Sequence, residues 1–149
     1  MSLQDDVMTA LKTAMKSKDQ TALTALRAVK SAILLAKTEV GHQEDLTEEQ
    51  ELKILQKQVK QRKDSAELYM DQGREDLAAP ELAEAEIISQ FLPEALSEEA
   101  IEKVVSDTIA SVGAEGMKDM GKVMGIVSKK LAGQADGKTI STIVKKKLA

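Results

Sequence analysis

The chain has 149 residues, of which 42% are hydrophobic and 31% are charged, and its formal net charge is −4 at pH 7. It contains no cysteine, one histidine, one tyrosine and one phenylalanine, which excludes disulfides and thiolate metal sites. A core must then be built from aliphatic residues and methionine, and this composition favours an all-α protein of one or two small domains.

The first part of the chain shows apolar residues at helical spacing. Two amphipathic helices are predicted, separated by a polar break in which Asp19 can cap the second helix. Gly41 is expected to end that second helix. The apolar positions that define the two helices are Val7, Met8, Leu11, Ala14 and Met15, followed by Leu23, Leu26, Val29, Ile33 and Leu34.

Thr47 and Gln50 form a capping-box pattern that predicts the start of a long helix, and Gly73 is expected to end it. Arg62 falls close to the apolar line of this helix, where its side chain must snorkel to solvent or pair with a carboxylate. A further helix follows and ends at Leu92, because Pro93 disfavours helical geometry in the residue before it. We therefore predict an N-terminal helical domain with long helices over residues 1–96.

Residues 97–149 predict a compact domain of three helices. Ser97 caps the first helix, and Gly113 ends it. The second helix contains the Gly121–Gly125 pair, and Asp136 caps the third. This small C-terminal domain completes the predicted all-α fold.

No residue pattern supports catalysis. The single histidine, His42, lies in a polar break between helices and is expected to be a solvated loop residue, so a Ser-His-Asp triad is not indicated. Neither a phosphate-binding glycine loop nor a Cys/His metal cluster is present, and we expect no catalytic residue, metal site or cofactor. The first residues lack a basic start, and no apolar run reaches the ~20 residues of a membrane span, so a cytoplasmic protein without a membrane segment is expected.

Charge is distributed unevenly along the chain. Residues 1–96 contain 12 basic and 18 acidic residues, whereas residues 117–149 contain eight lysines against two aspartates, a net charge of +6. An acidic chain with a basic end indicates a local anion-binding surface rather than general affinity for nucleic acid, and DNA is not an expected partner. No aromatic residue lies in this end, so RNA would be bound through phosphates and shape, which favours a folded RNA.

Two glycines distinguish the second helix of this domain. In a helical projection, Gly121 and Gly125 lie beside Lys118, Lys122 and Lys129, away from the buried stripe. Glycine inside a helix costs about 1 kcal/mol relative to alanine, so a close approach at this face is expected. Either another helix of this chain packs against the glycines, or an anionic partner does.

The last helix supplies further basic positions. Its first turn, with Gly137 and Lys138 after the capping Asp136, could place an anion at a helix N-terminus. Lys145 and Lys146 near its end suit the negative end of the helix dipole, and their charge adds them to the basic surface.

Residues 119–125 (DMGKVMG), residues 135–138 (ADGK) and the Leu92-Pro93 pair make the chain resemble the YqeY-like proteins. The resemblance extends over essentially the whole length and includes residues 62–65 (RKDS). Residues 97–149 are similar to the tail domain of the B subunit of the tRNA-dependent amidotransferase, which makes Gln-tRNA or Asn-tRNA from misacylated precursors.

The resemblance implies an all-helical protein in two parts, whose tail helps to hold a tRNA. The kinase-like and amidase chemistry of that enzyme lies in domains that this chain lacks. A label of carbon–nitrogen ligase with glutamine as amide donor would therefore be inherited from the larger enzyme. A non-catalytic tRNA-binding or amidotransferase-associated protein is expected; the alternatives are an adaptor that uses the acidic N-terminal helices and an amide-transferring enzyme. The resemblance implies RNA contacts at Gly121, Lys122, Gly125, Asp136, Gly137 and Lys138; the projection adds Lys118 and Lys129, and charge adds Lys145 and Lys146.

Overall fold

The computed structural model describes residues 2–39 and 45–149, so the predictions for Gly41 and His42 lie outside the described residues. Within these ranges the chain is helical and has no strand, which confirms the all-α prediction. Seven α-helices and one 3₁₀ helix, Met117–Asp119, are described. The α-helices are α1 (Leu3–Ser17), α2 (Gln20–Glu39), α3 (Glu48–Asp71), α4 (Glu75–Ser89), α5 (Glu98–Val112), α6 (Met120–Lys130) and α7 (Gly137–Leu148).

The chain divides into two compact units, Met1–Leu92 and Pro93–Ala149. The first therefore ends four residues before the boundary predicted after residue 96. The physical reason lies in Leu96, whose amide donates a hydrogen bond to the Gln134 carbonyl at 3.0 Å and whose side chain packs against the core of the second unit. Residues 93–96 thus lead into the C-terminal unit.

The N-terminal unit contains α1 to α4 around one aliphatic core. Its helix starts follow the predicted capping chemistry. The Thr47 hydroxyl accepts the Gln50 amide at 3.2 Å, and the Gln50 side chain accepts the Thr47 amide at 2.8 Å. Asp19 accepts the Ala22 amide at 3.1 Å in the first turn of α2. The core residues are Val7, Leu11, Ala14, Leu23, Ala25, Leu26, Val29, Ile33, Leu55, Val59, Ala85 and Ile88.

Arg62 lies half-buried in α3. One of its guanidinium nitrogens, Nη1, donates to the Gln58 carbonyl at 3.2 Å and to the Gln58 side-chain oxygen at 2.7 Å. Its Nε is buried and has no hydrogen-bond partner among the described residues. Burial raises the pKa of Glu84 in α4, and the positive charge of Arg62 partly offsets that increase. Arg62 therefore bonds to a glutamine and acts on Glu84 through its charge.

The C-terminal unit contains α5, α6 and α7, and each pair of these helices is in contact. Ser97 caps α5 by accepting the Ala100 amide at 3.2 Å, and Gly113 ends it with φ of 66°. The hydrophobic core of this unit is aliphatic, and the polar Thr108 is buried as well, with its hydroxyl donating to the Val104 carbonyl at 2.8 Å. The core consists of Ile101, Val105, Val123, Val127, Leu131, Ile140, Ile143, Val144 and Leu148.

Candidate nucleic-acid interface

The segment before α6 corrects one element of the sequence-based projection. Lys118 lies in the 3₁₀ helix Met117–Asp119, whereas α6 begins at Met120. The Asp119 carboxylate accepts the Glu115 amide at 3.0 Å and so closes the preceding turn. Because the projection assumed one continuous α-helix from Lys118, the angle that it assigned to this lysine is wrong. Lys118 is exposed at the entrance to α6.

Gly121 and Gly125 are exposed on α6. Among the described residues, a Cβ atom added at either glycine would meet no heavy atom within 4 Å beyond its chain neighbours and the backbone of its own helix. The alternative that another helix packs on these glycines is therefore wrong for the described helices of the C-terminal unit. Lys122 and Lys129 are also exposed, whereas Val123 and Val127 on the opposite side are buried. The helix thus presents bare backbone beside two lysines.

The first turn of α7 is organised by Asp136. Its side chain accepts the Thr139 amide at 2.6 Å, which makes it the N-cap of the helix. The carboxylate thus takes up one of the amides that an external anion would use, and its negative charge opposes an anion beside it. Gly137 and Lys138, the first two residues of α7, remain exposed. Asp136 therefore positions the basic helix and lowers the affinity of its N-terminus for anions.

Lys138, Lys145 and Lys146 are exposed on α7. Lys145 follows Lys138 by seven positions, which places the two lysines on the same side of the helix and about 10 Å apart along its axis. Because α6 and α7 pack against each other, lysines of both helices belong to one small unit and can attract phosphate groups.

Sequence reasoning missed two surface features of the N-terminal unit. Met8 and Leu34 were assigned to buried stripes, but 37% and 50% of their surfaces are exposed, because both lie at the edge of the stripe where α1 and α2 meet solvent. A cavity of about 380 Å³ lies elsewhere in this unit, and its lining combines acidic and apolar residues. The only sequence signal for this exposure is that Met8 and Leu34 lie at the margin of the apolar stripe when α1 and α2 are drawn as helical projections.

The described part of the chain contains neither a metal-binding cluster nor a membrane-spanning helix. No group of three or more histidine, cysteine, aspartate or glutamate side chains is arranged to hold a metal ion there. None of the described helices has the length and apolar character to cross a membrane.

Several proteins are similar to this chain over part of its length. Altered inheritance of mitochondria protein 41, mitochondrial, of Pyrenophora tritici-repentis is 30% identical over 128 residues, which are 84% of this chain and 68% of that protein. The protein of the same name from Clavispora lusitaniae is 41% identical over 97 residues, 63% of this chain and 55% of that protein. The names of these two relatives place them in mitochondria, and a cytoplasmic location for this chain stays a prediction.

The E subunit of the glutamyl-tRNA(Gln) amidotransferase of Thermococcus gammatolerans is 36% identical over 73 residues. These residues are 46% of this chain but only 12% of that much longer protein, so the similarity concerns a small part of it. The family described as Yqey-like protein matches residues 4–148. The chain therefore belongs to the YqeY-like family.

Proposed function

We propose that this protein is a non-catalytic RNA-binding protein that contacts a tRNA through α6 and α7 and acts in association with tRNA-dependent amide transfer. One observation carries the proposal: Gly121 and Gly125 are open to solvent beside the exposed Lys122 and Lys129. Glycines in an exposed helix face cost stability unless a close approach to the backbone compensates for it. The adjacent lysines favour an anion as the approaching group.

The relatives support the choice of RNA. The name of the amidotransferase relative from Thermococcus gammatolerans includes a tRNA, and this relative is 36% identical to this chain over 73 residues. Since the match spans 12% of that relative, the similarity supports a shared binding part rather than shared chemistry. The described residues of the C-terminal unit form an aliphatic core, helix caps and an exposed lysine surface.

The composition of the C-terminal unit also defines the mode of binding. Residues 97–149 contain neither tyrosine nor phenylalanine, and the whole chain lacks tryptophan, so bases cannot stack on aromatic side chains there. Lysine contacts to phosphates provide affinity that falls steeply as salt concentration rises. A folded RNA such as tRNA presents phosphates at fixed spacing to a rigid helical surface, which favours it over an unstructured strand.

The test is tRNA binding at two salt concentrations with the full chain and a double variant, Lys122→Ala with Lys129→Ala. We expect the variant to bind tRNA more weakly. The slope of log affinity against log salt concentration should also become shallower by about 0.7 to 0.9 for each lysine removed. The control is Lys57→Ala with Lys103→Ala, which removes two exposed lysines from α3 and α5. Unchanged affinity and slope in the first variant, or equal losses in both, would refute the proposed surface.

A second candidate function is a protein-interaction adaptor. It is favoured by large hydrophobic side chains that remain exposed in the N-terminal unit, among them Leu34, Leu35 and Leu68. Adaptor function without RNA binding predicts that residues 1–92 bind a protein partner while the full chain retains no tRNA.

A further inference from the structure

α1 and α2 form a shallow apolar groove in the N-terminal unit. Val7 and Ile33 are buried at this groove, and the exposed parts of Met8 and Leu34 also line it. Apolar side chains of this size are normally covered when they meet in a concave site, because their burial contributes about 25 cal/mol per Å². Gln4, Val7, Met8, Lys30, Ile33 and Leu34 line the groove.

The apolar surface continues along α1. Met15, 56% exposed, lies seven residues after Met8 and therefore on the same side of the helix, about 10 Å further along. Two anchors at this spacing match the i and i+7 positions with which an amphipathic helix fills a groove. Methionine side chains are flexible and polarisable, so they can fit the side chains of a bound helix.

The charge of the two helices that form this groove is positive on balance. Residues 3–39, which span α1 and α2, contain six basic and four acidic residues, and two of the acidic ones, Asp5 and Asp19, are engaged in capping α1 and α2. Lys30 lines the groove, and Arg27 lies exposed one turn before it. In the described part of the chain neither Arg27 nor Lys30 has a carboxylate within 4.0 Å, in contrast to Lys37, which pairs with Asp45 at 2.9 Å. The acidic excess of the N-terminal part therefore belongs to other helices.

We propose that this groove binds an acidic amphipathic helix of a partner protein. Apolar residues of the partner would cover Met8 and Leu34, and its carboxylates would face Arg27 and Lys30. RNA phosphates would satisfy the basic residues but leave the apolar groove uncovered. Two copies of this chain joined through the same face would bring like charges together, which disfavours a symmetric dimer.

The test titrates the full chain with a synthetic 18-residue amphipathic peptide that carries leucine at positions i, i+4, i+7 and i+11, glutamate at the positions flanking these leucines on one side, and alanine elsewhere to favour a helix. We expect methyl NMR shifts at Met8 and Leu34 and about a tenfold loss of affinity in Leu34→Ser, as for truncation of an interface anchor. Lys30→Glu should weaken binding to a similar extent, and it does not alter the apolar groove. The matched control is Leu35→Ser, because Leu35 is 60% exposed on the same helix but points about 100° away.

Several results would overturn the proposal. They are the absence of peptide binding, tighter binding of a peptide with lysine in place of glutamate, and equal effects of Leu34→Ser and Leu35→Ser. Binding of tRNA or of anionic phosphatidylserine vesicles that is lost in Leu34→Ser, without peptide binding, would assign the groove to those ligands instead. Because Lys122 and Lys129 lie outside this groove, failure of the tRNA proposal and failure of this one are measured on separate variants.

Discussion

Gly125 and Gly133 stand eight residues apart in the C-terminal unit but adopt opposite backbone conformations. Gly125 lies within α6, where a Cβ atom would meet no described residue outside its own helix within 4 Å, whereas Gly133 has φ of 79°. The same substitution by alanine therefore has opposite expected effects at the two sites. This contrast separates a glycine that serves the fold from one that the fold does not require.

Gly125→Ala is expected to stabilise the C-terminal unit by about 1 kcal/mol, because alanine loses less conformational entropy in a helix and the added methyl group has free space. Urea unfolding monitored by circular dichroism measures this change. If an RNA phosphate backbone packs against the two glycines, the double variant Gly121→Ala with Gly125→Ala should bind tRNA more weakly, although it is more stable. Full tRNA affinity in this stabilised variant would contradict the close approach.

Gly133→Ala is expected to destabilise the same unit by about 1 to 2 kcal/mol, since a left-handed conformation strains a residue that has a Cβ atom. The residue is also buried in the connection between α6 and α7. Thermal unfolding of Gly133→Ala and Gly133→Asn makes the test, because asparagine tolerates this conformation better. Equal stability of the alanine variant and the natural protein would be the contrary result.

Asp136→Asn is expected to keep the cap of α7 and to raise tRNA affinity. Asparagine caps helices about as well as aspartate, so the free energy of unfolding should change by less than about 1 kcal/mol. Removal of the negative charge lowers the repulsion of phosphates beside Lys138. Binding measured at low salt tests this prediction, and a loss of affinity would instead identify Asp136 as a direct RNA contact.

Arg62→Gln is expected to destabilise the protein more at pH 7 than at pH 4. Burial raises the pKa of Glu84 above its ordinary value of 4.5, and the Arg62 charge counteracts this increase. A carboxyl group with a raised folded pKa destabilises the folded state as pH rises from its unfolded pKa through its folded pKa. Loss of Arg62 raises the folded pKa of Glu84 further. The free energy of unfolding therefore falls between the unfolded and folded pKa values of Glu84, and it remains lowered at higher pH.

Urea unfolding of Arg62→Gln at both pH values measures the effect. Lost hydrogen bonds to Gln58 contribute equally at both, and the double variant Arg62→Gln with Glu84→Gln removes the titrating group. The free energy of unfolding of this double variant should be lowered by the same amount at pH 4 and pH 7. A pH-independent cost in the single variant would show that Arg62 acts through Gln58 alone.

Local chemistry made much of the fold predictable. The reciprocal hydrogen bonds of Thr47 and Gln50 and the cap at Asp136 depend on residues three positions apart, so sequence spacing alone identifies them. The exposed state of Gly121 and Gly125 was likewise predictable from their angle to Val123 and Val127. Lys118 was misplaced because the short 3₁₀ helix depends on the Asp119 contact to Glu115, which no helical periodicity reveals.

Which faces of the helices meet was decided by tertiary packing. Periodicity placed Met8 and Leu34 in apolar stripes, but only the packing of α1 against α2 leaves both side chains partly exposed around one groove beside Lys30. Proline chemistry indicates the break at Leu92 and Pro93, but the assignment of residues 93–96 to the C-terminal unit depends on Leu96, whose amide bonds to a residue 38 positions away. Hydrophobic spacing and caps act within a few residues and specify the helices, whereas grooves and unit boundaries depend on contacts between distant segments.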